Sequence, residues 1–198
     1  MARPSLSREH VDAFRSQACD AAIELFGNQP EVSLRQLAQA MGCSHATPYR
    51  YFRSKQDLFM AVRAECFRRF RAYLEGLVEG TDPRADVFAV CRGYAEYAQR
   101  RPAEFLLMFQ LGQPSPEDHP EAEQAGLDAW ATVEGTVRRA IRAGLLDGQP
   151  RTVAHLLWAA VHGVVSLSLA KRLVVGYDAA ELIDPIVSAL WRAHGGHP

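Results

Sequence analysis

The chain has 198 residues, 48% hydrophobic and 23% charged, with 14 Gly, 11 Pro and a formal net charge of −1, a composition that excludes disordered, collagen-like and disulfide-scaffold classes. Thirty alanines stand against four isoleucines; Ala is the best helix former and Ile favours strands, so an all-α fold is expected. Through Arg71, 11 Lys and Arg oppose 7 Asp and Glu, a balance of +4 that leaves −5 for the rest, so a polyanion partner suits the first part only.

The segment from Met1 to His10 lacks the apolar stretch of a secretory leader, and a cytoplasmic location is expected. Val11, Phe14, Ala18, Ala21, Ala22, Leu25 and Phe26 then recur at helical spacing before a stop at Gly27. Ser33 and Gln36 form a capping box, and Leu34, Leu37, Ala38 and Met41 make a short second helix that ends at Gly42. Cys43 plugs the turn. Ser44 is a second N-cap for a third short helix expected to run to about Phe52, and Ser54 opens another box with Asp57. Two short capped helices around a glycine turn predict a helix-turn-helix.

From Ser54 a long helix is expected through Leu58, Phe59, Val62, Phe67, Phe70 and Leu74 to about Val78. Asp82 with Pro83 caps the next helix, and Pro102 starts another. Gln110 to Pro120 reads as a loop because its prolines and glycine do not support regular structure. A helix follows from about Glu121 to Ala143, then an almost uniformly apolar one within Gln149 to Leu173, and a last one from Asp178 to about Ala193. Pro185 predicts a kink in that last helix, or a start there with Asp184 as cap. Thr152 to Ala170 carries no Asp, Glu, Lys or Arg, yet His155, His162, Gly163, Ser166 and Ser168 fit a helix buried in protein or between subunits better than a membrane span. Cys19, Cys43, Cys66 and Cys91 show no metal or redox spacing and are expected to be reduced and buried.

Residues Ser33 to Lys55 resemble the DNA-binding region of TetR-family transcriptional regulators, with Tyr49, Phe52, Ser54 and Lys55 matching the family's closing Tyr-x-x-Phe and Ser-Lys stretch. Trp158-Ala-Ala-Val-His162-Gly163 is similar to the WHG motif of one TetR subgroup, and Tyr97 to Met108 looks like that subgroup's segment before its central loop. The resemblance implies a helix-turn-helix DNA-binding domain over residues 1–53. It further implies a linking helix with an effector-binding and dimerisation domain over residues 54–198.

A helix entering the major groove needs short polar side chains at its leading end, flanked by phosphate-binding groups. Arg35, His45, Ala46 and Thr47 are the candidate base readers: His45 and Thr47 offer hydrogen bonds, the methyls of Ala46 and Thr47 suit thymine, and Arg35 can reach a guanine edge or a phosphate. Ser33, Ser44, Tyr49, Tyr51 and Lys55 are the candidate phosphate contacts. Tyr51 suits the three-helix core as well as the clamp, and Phe52 belongs in that core. Pro48 departs from the family pattern, where an aliphatic residue usually stands; it removes a donor and biases Thr47 away from the α region.

In the acidic part, Tyr94, Phe105, Met108, Phe109, Trp130, Trp158 and His162 supply an apolar pocket with one polar group, although helical aromatics are as readily core. The acidic surroundings point to a neutral or cationic, largely apolar ligand. Leu182, Ile186, Leu190 and Trp191 on the last helix, with the charge-free helix before it, are expected to pair with their copies as a four-helix bundle. His155 and His162 lie seven apart without the His-Glu-x-x-His pattern, and no cofactor motif is present, so neither metal nor cofactor is expected.

The function expected is a ligand-responsive regulator, most readily a repressor, that binds a palindromic operator as a homodimer and is released by a small apolar effector. An architectural DNA binder is the alternative, disfavoured by the net charge of −1. An enzyme is the other: no glycine-rich phosphate loop, nucleophile elbow or metal pair supports it.

Overall fold

A computed structural model describes residues 8–29, 31–109, 119–173 and 176–196. These contain eight α-helices: α1 (Arg8–Asn28), α2 (Leu34–Ala40), α3 (Lys55–Glu75), α4 (Pro83–Arg100), α5 (Pro102–Phe109), α6 (Pro120–Arg142), α7 (Pro150–Leu169) and α8 (Ala179–Ala193). Residues 1–7, and the expected loop except its last two residues, lie outside the described part. Two compact units share the chain: Met1–Phe67 with Ala103–Gly126, and Arg68–Pro102 with Leu127–Pro198. The boundary expected from sequence, between residues 53 and 54, divides functions and falls inside the first of these units. Helix α3 begins in the first unit, where Phe59 packs edge-on to Phe26 of α1 at 5.6 Å, and continues into the second.

In the first unit, Ser33 caps α2 as its sequence requires. The Ser33 Oγ accepts from the Gln36 amide at 3.2 Å, and the Gln36 carboxamide accepts from the Ser33 amide at 2.9 Å. At the other end Gly42 has φ +62°, a left-handed position suited to glycine. There the Gly42 amide donates to Gln39 O and the Cys43 amide to Ala38 O, at 3.1 and 3.0 Å, and the helix closes in a Schellman turn. Ala18 and Ala22 of α1, Leu37 and Ala38 of α2, Phe52, and Leu58 and Val62 of α3 are fully buried.

The third helix does not form as expected. Residues 45–47 make a turn and only Pro48–Arg50 are helical, in 3-10 form. Pro48 has no N–H to give Ser44 O, so the Thr47 amide takes that carbonyl at 2.9 Å, and Arg50 and Tyr51 continue with three-residue spacing. Thr47 nevertheless keeps α-region angles, φ −63° and ψ −50°, against the expected effect of the following proline. Its hydroxyl lies 2.8 Å from that of Ser44, which holds the turn closed.

In the second unit, α4, α7 and α8 pack on one another, burying Val87, Val90, Tyr94 and Ala98 with Val153, Leu157 and Val161, and with Ile183, Val187 and Trp191. Helix α7 has the length and hydropathy of a membrane span, but one face of it is this protein core. Asp178 and Glu181 cap α8 reciprocally at 2.9 and 3.0 Å. The helix therefore starts there, with Pro185 inside it. Asp184 is not its cap; it takes a two-pronged ion pair from Arg92 at 2.6 and 2.8 Å.

Asp86 is only 3% exposed. Its carboxylate accepts from the Glu79 and Gly80 amides, at 3.0 and 3.1 Å, and from Arg139 Nη2 of α6 at 3.1 Å. Removing it orphans two amides and a cation. Asp86→Ala should cost about 3 kcal/mol by urea unfolding, with Asp86→Asn costing less because its carbonyl still serves the amides; equal, sub-kilocalorie losses would show that this cluster does not hold α6.

Candidate nucleic-acid interface and ring cluster

The side chains expected to read DNA gather on the first unit, in the first turn of α2 and the turn after it. Arg35, Ser44, His45 and Ala46 are exposed and Thr47 is half-buried, with Tyr49 62% exposed. Several of the expected phosphate contacts are already engaged within the chain. Ser33 is held by Gln36, Ser44 by Thr47, and Lys55 by Glu31 at 2.7 Å, an ion pair that holds the Glu31 carboxyl below its ordinary range. Such a surface pair is weak enough to exchange for a phosphate.

Tyr51 departs furthest from the clamp. Its ring stacks on Phe14 of α1 at 3.8 Å between centroids, while Phe52 is fully buried beneath the Arg15 guanidinium. The pair of aromatic residues thus secures the turn to α1, the core role open to both from sequence. Arg50 is exposed between Tyr49 and Tyr51.

Four of the residues expected to line a pocket meet in the second unit. Trp158 Nε1 donates to Tyr94 Oη at 3.1 Å, and Tyr94 Oη lies 2.7 Å from His162 Nδ1. The arrangement that uses every proton has the phenol donating to Nδ1 and the imidazole proton on Nε2. Electrostatics agree: burial pushes the Tyr94 phenol up and holds the His162 imidazole below its ordinary value. Trp130 joins through His155, their rings 4.1 Å apart, and its Nε1 donates to Glu134 at 3.1 Å. His155 had no pocket role in the sequence, although its spacing of three from Trp158 and seven from His162 carried the signal. A groove of about 500 Å3 runs beside these rings along α7, bounded by Arg151, His155, Leu156 and Trp158.

Phe105, Met108 and Phe109 belong to the first unit. Met108 is fully buried, Phe105 is 2% exposed, and Phe109 is half-buried, packed on Phe105 and Phe67 at 4.9 and 5.7 Å. Of the expected dimer residues, Leu182, Ile186 and Leu190 lie half-exposed along one side of α8. Trp191 does not join them. It is 3% exposed and packs against Phe88 at 5.9 Å inside its own subunit, because it falls on the side of α8 that carries Ile183 and Val187.

Comparison with known proteins gives a consistent picture. Residues 19–62 match the family model described as bacterial regulatory proteins, tetR family, and residues 87–190 match the one described as tetracyclin repressor-like, C-terminal domain. The HTH-type transcriptional repressor Rv1474c of Mycobacterium tuberculosis is 34% identical over 79 residues, 38% of this chain and 42% of that protein. The chain thus spans under half the length of that relative. The HTH-type transcriptional regulator Mb1846 of Mycobacterium bovis is 26% identical over 188 residues, 78% of this chain and 77% of its own. A solved structure of a protein of unknown function from Rhodococcus sp. RHA1 superposes with a TM-score of 0.78 at 27% identity, covering 91% and 94% of the two chains.

The neutral His162 imidazole has a consequence for stability. Below its ordinary value of 6.5 the unfolded chain takes up a proton that the folded one resists, so stability falls as pH falls through that range. The melting temperature should drop between about pH 7 and pH 5.5, and His162→Gln should reduce that drop; an undiminished drop would place the pH response on another group.

Proposed function

The chain belongs to the TetR family of bacterial transcriptional regulators, which are transcription factors rather than enzymes, and from that we propose that it is a ligand-responsive repressor acting as a homodimer on a palindromic operator. The observation that carries this reading is the exposed group Arg35, His45, Ala46 and Tyr49, with Thr47 beside it, on the segment that matches the family's DNA-binding model. In this reading the base contacts are Arg35, His45, Ala46 and Thr47. Ser33, Ser44, Tyr49 and Lys55 hold phosphates once their internal partners are exchanged, and Tyr51 supports the turn from behind. The DNA-binding domain ends before α3, near residue 53, and the remainder serves effector binding and pairing. A repressor of this kind works in the cytoplasm, where its operator is.

Pairing is supported by what α7 and α8 leave outside. Leu156 and Leu167 of α7 are 43% and 48% exposed, with Ala159 and Gly163 between them, and Leu182, Ile186 and Leu190 continue the apolar strip on α8. Helices apolar on two sides call for a second partner, and a four-helix arrangement with the same two helices of another copy supplies it. A two-fold dimer then presents its reading ends one helical turn apart, about 34–36 Å, to inverted half-sites. An effector held by Tyr94, Trp130, Trp158 and His162 changes operator affinity by as much as it distinguishes the two dimer geometries.

Selection of duplexes from a random library by the full-length protein should return an inverted repeat. His45→Ala and Thr47→Ala should each cost about 1–3 kcal/mol of preference for it while sparing non-specific binding; unchanged preference in both variants would remove the base-reading assignment. Leu190→Asp places an unpaired charge in the proposed apolar interface and should give monomers in sedimentation. A persisting dimer would move the interface elsewhere.

A further inference from the structure

Several arginines that join elements of this protein are matched by carboxylates: Arg71 by Glu75 and Asp128, Arg92 by Asp184, Arg139 by Asp86. Arg63, in the middle of α3, is not. Its side chain is half-buried, and its Nε donates to the carbonyl oxygen of Met108 at 3.2 Å, at the end of α5. Its guanidinium lies 5.5 Å from the centre of the Phe67 ring. Among the described residues no carboxylate reaches it, and burial alone acts on its charge, lowering its affinity for the proton.

The surroundings are apolar and aromatic. Phe67 meets Phe109 edge-on, Phe109 leans on Phe105, and Met108 is fully buried behind them. A cation set against rings, short of water and without a counter-charge is incomplete as a piece of protein chemistry. The bond to Met108 O satisfies one N–H and orients the planar group. The two Nη groups remain, and their parallel donors match the two oxygens of a carboxylate. One guanidinium also carries one charge, which neutralises a monoanion but leaves a dianionic phosphate half-compensated.

We propose that Arg63 marks a ligand site of its own within the first unit, and that the ligand is an amphipathic organic acid: its carboxylate sits on the Arg63 guanidinium and its apolar body lies against the Phe67 and Phe109 rings. This rests on the ligand-responsive reading above and assigns an anion to this site, whereas composition led to a neutral or cationic ligand for the aromatic residues of the acidic part. Composition sums charge over the whole acidic part; the lone arginine comes from the basic part of the chain and acts locally.

The test uses the full-length protein with dodecanoate and dodecan-1-ol, which share a chain and differ in the charged head. By titration calorimetry, dodecanoate should bind at least about tenfold more tightly than the alcohol. Arg63→Gln should remove that preference while leaving alcohol binding unchanged, and Arg63→Lys, which keeps the charge without the fork, should retain only part of it. If the Gln variant fails to fold by circular dichroism, the partial loss in the Lys variant decides. No binding of dodecanoate, equal binding of acid and alcohol by the unmodified protein, or an unchanged preference in the variants would overturn the proposal. Operator release in the same samples separates this site from the regulator reading. Arg63-dependent binding that leaves the operator bound keeps the site and rejects dodecanoate-driven regulation. Release that persists undiminished in Arg63→Gln rejects the site and keeps the regulator.

Discussion

A carboxylate removed from water must find its hydrogen bonds where it lies, and Asp86 does so by gathering two amides of the turn before α4 and an arginine of α6. The consequence is a register. Tyr94 stands about two turns along α4 from Asp86, and Trp130 stands two and a half turns along α6 from Arg139. Fixing one end of each helix against the other aligns the rings further on. The placement of Trp130 of α6 beside the hydrogen-bonded group of Tyr94, Trp158 and His162 is therefore aided by a charge cluster that contains none of those residues.

The same accounting of charge distinguishes the other polar groups. Lys55 and Glu31 are exposed and paired, so either can leave for a competing ion at small cost. Arg92 and Asp184 join α4 to α8 in a two-pronged pair at the surface. Among the described residues Arg63 has no such match, although part of it is out of water. Ranked by burial and compensation, the first is exchangeable, the second positions helices, and the third is the one on which the proposed carboxylate site rests.

The reading end rests on a different constraint, the missing proline donor. Pro48 is buried and prevents a regular third helix, yet its fixed ring and the Ser44–Thr47 contact give a compact turn that presents His45 and Tyr49 to solvent. Tyr51 and Phe52 reach back into the unit and hold that turn against α1. A short, rigid presentation of side chains replaces the longer helix that the polar pattern alone implies.

Local chemistry was legible in the sequence wherever it is complete within a few residues. The capping box at Ser33 and the turn at Gly42 depend only on neighbours in the chain, and the proline starts of α4 and α5 on backbone geometry, so the α-helices emerged in order, with the short helix expected before Phe52 as the exception. The residues from Ser33 to Lys55 carried the family in the same way, because short spacings encode that turn. What the sequence left open involves partners far apart in the chain. Whether Tyr51 faces a phosphate or Phe14, whether Trp191 faces outward or Phe88, and whether Asp184 caps a helix or binds Arg92 are each decided by an element that periodicity does not bring near. Arg63 is the sharpest case. A single arginine among many on an amphipathic helix has no distinguishing pattern, and only packing shows that its neighbours are rings and a carbonyl rather than a carboxylate.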